Sequence, residues 1–73
     1  MDGMTRGEQV SAYLRLCKKI TASGDYDKAA AIYENCIQTF SHDFRVYFNY
    51  GQLCCSREFY AQALILFYDA EIR

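Results

Sequence analysis

The segment GDYDKAAAIY, residues 24–33, decides the fold, because a weaker copy of it lies at residues 58–67. In the copy, Tyr60, Ala63 and Phe67 repeat an aromatic, a small and an aromatic residue of the first segment. We call the step from Tyr26 to Tyr60 the repeat offset. A fixed period of this length is typical of proteins built from repeated supersecondary units. One such unit cannot bury its apolar face alone, so we expect two units stacked on each other.

Helical periodicity extends to both sides of this segment. Apolar residues at spacings of three and four predict helix 1 over residues 8–22, which Gly24 can end in a left-handed conformation. Asp25 is a suitable N-cap for helix 2, which the same spacing predicts over residues 26–39. Residues 1–7 carry two glycines and no periodicity, which favours a flexible leader.

A polar turn separates these helices from a second pair. Asp43 is the predicted N-cap of helix 3, and helix 4 is predicted from about Glu58 to the end of the chain. The residues expected on packed faces are Val10, Tyr13, Leu14, Cys17 and Ile20 in helix 1, Tyr47, Tyr50, Gly51 and Cys54 in helix 3, and Tyr60, Ala63, Phe67 and Ala70 in helix 4.

The two halves of the chain align with each other at the repeat offset. Large side chains align with large ones and small with small, so that small residues let helices approach while large ones fill the gaps. The first half reads Tyr13-x2-Leu16-Cys17-x2-Ile20 and then Ala29-x3-Tyr33, and the second reads Tyr47-x2-Tyr50-Gly51-x2-Cys54 and then Ala63-x3-Phe67.

This pattern resembles the tetratricopeptide repeat, a helix-turn-helix unit of about 34 residues that reads W-x2-L-G-x2-Y, A-x3-F and a final P. The resemblance covers residues 8–73 and implies repeats at about 10–43 and 44–73, the second one truncated. It implies an all-α fold of two antiparallel helix-turn-helix hairpins, stacked as a short right-handed α-solenoid.

The chain departs from the repeat pattern at three positions. Ser41 stands where the family often has proline, Tyr50 where it prefers leucine, and Glu58 where the first hairpin has glycine. Because no glycine or proline lies between Gln52 and Arg73, one long helix fused from helices 3 and 4 stays open as an alternative.

Composition narrows the class of protein. A chain of 73 residues has a marginal core, so its 52% of hydrophobic and 16% of aromatic residues indicate dense packing or association. Eight basic against nine acidic residues give a net charge of −1, which argues against nucleic acid as a partner. Neither a signal peptide nor a membrane-spanning run is evident, so we expect a cytoplasmic, reducing environment.

Four cysteines admit three interpretations: a disulfide framework, a metal site or buried small apolar residues. We favour the third, because the chain has no C-x-x-C and its single histidine lies far from most of the cysteines. No metal or cofactor is therefore predicted. The adjacent pair Cys54-Cys55 is the candidate for oxidation, since neighbours on a helix point about 100° apart and one of them should be exposed.

The first helix of each hairpin supplies a candidate peptide site. In proteins of the family these helices line a concave surface that binds an extended or helical peptide. Cations beside an amide would suit an acidic peptide or a terminal carboxylate, and ordinary solvated side chains are the alternative. The candidate residues are Ser11, Leu14, Arg15, Lys18, Arg45, Phe48, Asn49 and Gln52.

Helix 4 supplies a second candidate surface, because it is apolar nearly all round. Leu64, Ile65, Leu66, Tyr68 and Ile72 remain once the packed face is accounted for, and we assign Leu64, Ile65, Tyr68 and Ile72 to a partner or oligomer interface. Such a face predicts a homodimer, a partner protein or further repeats of a longer chain. The predicted function is a protein interaction module or scaffold, and the alternative is a homo-oligomerisation domain of a larger repeat protein.

Catalysis is not predicted. Ser41, His42 and Asp43 are consecutive in a turn, so they cannot orient one another as the members of a catalytic triad do. The chain has no phosphate-binding loop and no nucleophile with a base beside it in the expected fold. We therefore name no catalytic residues.

Overall fold

The protein is all-helical in the computed structural model, which describes residue 3 and residues 5–72. Its four helices confirm the predicted all-α class, and the described residues contain no strand. The first two helices form hairpin 1 and the last two form hairpin 2. The helices are α1 (Arg6–Ala22), α2 (Tyr26–Thr39), α3 (Phe44–Ser56) and α4 (Tyr60–Glu71).

α1 begins two residues earlier than predicted, because a capping box precedes it. The Thr5 hydroxyl accepts from the Glu8 backbone N–H at 3.1 Å, and the Thr5 N–H donates to the Glu8 carboxylate at 2.9 Å. The prediction of a flexible leader over residues 1–7 is therefore wrong for residues 5–7. Residues 1, 2 and 4 lie outside the described residues.

The two hairpins turn in the same way. The backbone N–H groups of Gly24 and Asp25 donate to carbonyls three and five residues earlier, at 3.0 and 3.3 Å. Those of Glu58 and Phe59 repeat this pattern at 3.0 and 2.8 Å. Gly24 and Glu58 are both left-handed, with φ of 93° and 64°. Helices 3 and 4 are therefore separate, and the fused alternative is wrong.

The residues before α2, α3 and α4 differ in how well they cap a helix. Asp25 accepts from the Lys28 N–H at 3.2 Å, and Asp43 accepts from the Arg45 N–H at 3.0 Å, so both predicted N-caps are confirmed. At the start of α4 the cap position is held by Phe59, whose ring has no oxygen to accept a hydrogen bond. The second turn therefore lacks both the glycine and the cap of the first.

α3 lies at the centre of the molecule and packs against the other three helices. Its Tyr50 ring stacks on that of Tyr33 in α2, with centroids 5.3 Å apart and planes 11° apart. The Tyr50 hydroxyl donates to a Glu34 carboxylate oxygen at 2.6 Å, which satisfies the polar end of this buried ring. The buried core residues are Val10, Cys17, Ala29, Tyr33, Cys36, Phe40, Val46, Tyr47, Tyr50, Leu53, Cys54, Ala63 and Leu66.

The packed face of α4 differs from the predicted one. Leu66, which we expected to remain exposed, is buried, whereas Tyr60 is exposed. Residues three and four positions after Ala63 share its face, so Leu66 packs there as well as the half-buried Phe67. Tyr13 of α1 is also exposed, although its ring contacts Phe40 at a centroid distance of 6.0 Å.

Candidate functional site

The concave-face candidates divide into two depressions that follow each other along α1 and α3. Ser11, Arg15 and Arg45 line the first, together with residues 5, 7 and 8. Lys18, Asn49 and Gln52 line the second, which reaches down to Tyr33 and Leu53 of the core. The structure thus brings together six of the eight predicted residues, in two groups of three.

Arg45 is already engaged within the protein. Its Nε and Nη2 donate to the two carboxylate oxygens of Asp43, at 3.1 and 2.8 Å. Its Nη1 donates to the Ser11 hydroxyl at 3.1 Å and its Nη2 to the Gly7 carbonyl at 3.4 Å. The hydrogen bonds from Arg45 hold the pKa of Asp43 below its usual value. Arg45 therefore joins hairpin 2 to α1.

Asn49 also uses part of its bonding capacity locally, since its Nδ2 donates to the Arg45 carbonyl at 2.8 Å. The exposed cations of this face are therefore Arg15 and Lys18, on successive turns of α1. A peptide carboxylate on this face would meet those two side chains rather than the predicted group of three cations. The sequence did not reveal that Arg45 is engaged within the protein, because its acceptors come from α1 and from the turn before α3.

Phe48 and Leu14, the two apolar candidates, lie elsewhere. Leu14 is half-buried and packs against the core. Phe48 lines an open groove of about 520 Å³ between α3 and α4, where its ring contacts Phe67 at a centroid distance of 5.7 Å. We call this the apolar groove, and its lining residues are Phe44, Phe48, Leu64, Phe67, Tyr68, Ala70 and Glu71.

The predicted interface residues of α4 are all exposed. Leu64, Ile65, Tyr68 and Ile72 have exposed fractions of 59–70%. Leu64 and Tyr68 line the apolar groove, while Ile65 and Ile72 lie outside it. Sequence reasoning missed Phe44, which lines the groove one turn before Phe48. The repeat offset could have found it, because Phe44 is the equivalent of the core residue Val10.

All four cysteines are free thiols, and Cys17, Cys36 and Cys54 are buried. Burial raises the pKa of all three, that of Cys17 to about 11. Cys55 is only half-buried, so the adjacent pair divides into one enclosed and one accessible side chain. Among residues 3 and 5–72, no three His, Cys, Asp or Glu side chains are placed to hold a metal ion.

Two further findings bear on the class of protein. Within the described part of the chain, every helix is too short or too polar to cross a bilayer. Comparison with protein-family models, curated proteins and solved structures found no match.

Proposed function

We propose that the chain is a protein interaction module, acting without catalysis in the cytoplasm. The observation that carries this proposal is the apolar groove, where Phe44, Phe48, Leu64 and Tyr68 are all exposed beside one another. Contiguous apolar surface of this kind marks interaction sites, and aromatic residues are enriched in the centres of interfaces. The groove lies between two helices, which suits an added helix.

The module belongs, on this proposal, to the tetratricopeptide repeats and stacks its hairpins as a right-handed solenoid. Support comes from the shared geometry of the two turns and from the close approach of α3 and α4. A Cβ atom on Gly51 would lie 2.6 Å from Cε1 of Phe67, so any side chain at this position would force the Phe67 ring to move. This small position is the one at which the repeat pattern has glycine.

The chemistry of each surface defines its ligand. The apolar groove would take an amphipathic partner helix that presents apolar side chains at positions i, i+3 or i+4, and i+7. The concave face would take an acidic peptide, gripped by Arg15 and Lys18. Arg45 would act there by holding α1 and α3 in place rather than by binding the ligand.

A pull-down of partner proteins, with purified variants of this chain as bait, tests both surfaces. Leu64→Glu with Tyr68→Glu puts charges into the groove, and Arg15→Glu with Lys18→Glu reverses the charge of the concave face. Ile65→Glu is the control, because Ile65 is exposed on the same helix but lies outside the groove. Circular dichroism confirms that each variant is folded.

We expect the groove variant to lose partners that bind through an amphipathic helix. The charge variant should lose only acidic partners. The control should keep both. Partners that survive both double substitutions at wild-type levels would exclude these two surfaces and with them the proposal.

A homo-oligomerisation domain of a larger repeat protein is the second candidate. The same exposed face of α4 favours it, since contiguous exposed apolar surface marks an interaction site that an identical chain could also cover. The two candidates differ in the partner, which is another protein in the first and an identical chain in the second.

A further inference from the structure

Each hairpin packs on the other through one surface inside the molecule. The equivalent positions, one repeat offset away along the chain, form an outer surface on the other hairpin. Inside, hairpin 1 offers Tyr33, and the Tyr50 ring of α3 stacks on it at 5.3 Å. One repeat offset after Tyr33 lies Phe67, in the apolar groove of hairpin 2. One repeat offset before Tyr50 lies Leu16, on α1.

On the groove side, equivalent positions differ sharply in exposure. Val10 of hairpin 1 is 0% exposed, whereas its equivalent Phe44 is 56% exposed. Likewise Ala30 is half-buried and its equivalent Leu64 is exposed. The groove of hairpin 2 is therefore equivalent to the surface of hairpin 1 on which α3 packs, but it is left uncovered.

On the α1 side, the exposed residues belong to hairpin 1 and their buried equivalents belong to hairpin 2. Tyr47 and Tyr50 of α3 are 4% and 5% exposed, because they pack within the core. Their equivalents Tyr13 and Leu16 on α1 are each 44% exposed. The molecule thus presents both halves of its internal interface at once, one on α1 and the other between α3 and α4.

We propose that the apolar groove binds α1 of a second copy of this chain, through the face that carries Tyr13 and Leu16. The inference rests on the proposed function of the groove as an interaction site, and it names the partner. In this contact, α1 of the second copy packs on hairpin 2 as α3 packs on hairpin 1. Leu16 of the second copy lies on Phe67 as Tyr50 lies on Tyr33.

This contact is weaker than the internal one. Val46 and Leu53, which are buried in α3, have Ala12 and Lys19 as their equivalents on α1. A smaller side chain and a charged one bury less apolar surface, so the association is reversible and depends on concentration.

The contact joins different surfaces of the two copies, so it is head-to-tail. Each added copy leaves one groove and one α1 face open at the ends, and assembly does not stop at a dimer. The average mass of the particles therefore keeps rising with protein concentration. An α4-to-α4 contact would instead be self-complementary and would end at a dimer.

Analytical ultracentrifugation over an approximately 100-fold range of concentration tests this, since mass action makes the mass distribution concentration-dependent. Leu16→Glu blocks the α1 face, Leu64→Glu blocks the groove, and Ile65→Glu is the matched control on α4. We expect each blocked variant to be a monomer and the control to assemble like the wild type. Thermal melts monitor folding.

Mixing the two blocked variants gives the decisive measurement. The Leu16→Glu chain keeps an intact groove and the Leu64→Glu chain keeps an intact α1 face, so an equal mixture should form a 1:1 dimer and stop there. A monomeric wild type across the range, or a mixture that stays monomeric, overturns the inference. So does a dimer that survives Leu16→Glu and is lost with Ile65→Glu. If the wild type is monomeric but its groove still captures another protein, the inference fails while the proposed function stands.

Discussion

Glu58 adopts the left-handed conformation that Gly24 adopts at the equivalent position of hairpin 1, with φ of 64° against 93°. A residue with a Cβ atom is disfavoured in this region by about 1–2 kcal/mol, whereas glycine is not. The surrounding structure holds the turn in place. Arg57 is the residue before Glu58, and its Cζ lies over the rings of Phe59 and Tyr26, at 4.8 and 5.9 Å from their centroids.

Replacing Glu58 by glycine should stabilise the protein. Glu58→Gly removes the strain of the left-handed residue and increases the freedom of the unfolded chain, for a net gain of about 0.5–1 kcal/mol. Urea denaturation measures this as a higher midpoint. Glu58→Ala is the control, because it keeps the Cβ atom and should bring no comparable gain. A Glu58→Gly protein no more stable than the alanine variant would show that the turn is unstrained.

Adding one methyl group at Gly51 should destabilise the α3–α4 contact. In Gly51→Ala the Cβ atom would lie 2.6 Å from Cε1 and 2.8 Å from Cδ1 of Phe67, so the ring has to move. Overpacking costs about 1–3 kcal/mol, and the better helix propensity of alanine returns up to about 1 kcal/mol. We expect a lower free energy of unfolding by about 1 kcal/mol. The same substitution beside Phe67→Leu should cost nothing, and an equal loss in both backgrounds would contradict the clash.

Apolar spacing and cap residues predicted the helices well, because these signals are local. The bounds of α2 agree with the predicted 26–39, and the N-cap at Asp43 follows from the polar turn. The offset could not predict exposure, which depends on what covers a position. Tyr13 and Tyr47 are equivalent in the pattern, yet only Tyr47 is covered by neighbouring helices.

The candidate site shows the same limit. Arg45 satisfies the pattern of a cationic concave face, but its guanidinium is bonded to Asp43, Ser11 and Gly7. Sequence spacing places a side chain on a helix face and says nothing of acceptors supplied by another element. Exposure of Leu64 and Tyr68 was predictable because the apolar surface of α4 exceeds what one neighbouring helix can cover.

Arg57 should contribute more through its aromatic neighbours than through its ion pair. Its Nη2 lies 3.0 Å from a carboxylate oxygen of Asp27, which is 90% exposed, so Asp27→Asn should cost less than about 0.5 kcal/mol. Arg57→Ala also removes the contacts with Phe59 and Tyr26 and should cost about 1 kcal/mol. Chemical denaturation at low and high salt separates the two effects. Equal losses for the two variants would assign the contribution to the ion pair.

Stability should fall in alkaline solution from about pH 9 upwards. Burial raises the pKa of Cys17 to about 11 and that of Tyr33 to about 12, whereas free thiols and phenols ionise near 8.5 and 10. As the pH rises, the unfolded chain releases these protons first, so the free energy of unfolding decreases. The contribution is complete below about pH 8.5 and is lost progressively towards pH 12. Urea titrations with reductant across this range should show a shallower decline for Cys17→Ala.

Thiol labelling should distinguish the adjacent cysteines. At neutral pH, Cys55 should react with an alkylating reagent while the folded protein protects Cys54, because the latter is buried and its pKa is raised by that burial. Mass spectrometry of peptides locates the label. Labelling in urea, where all four thiols react, is the control, and comparable rates at Cys54 and Cys55 in the native protein would contradict the assigned burial.

We expect the unequal turns to set an order of folding. The first turn has a glycine and an aspartate cap that favour it within its own segment, whereas the turn at Glu58 and Phe59 has neither. We therefore expect hairpin 1 to begin to form from local preferences, and hairpin 2 to close its turn as α4 packs on α3. Substitutions in the first turn should accordingly slow folding, and those at Glu58 should act mainly on the rate of unfolding.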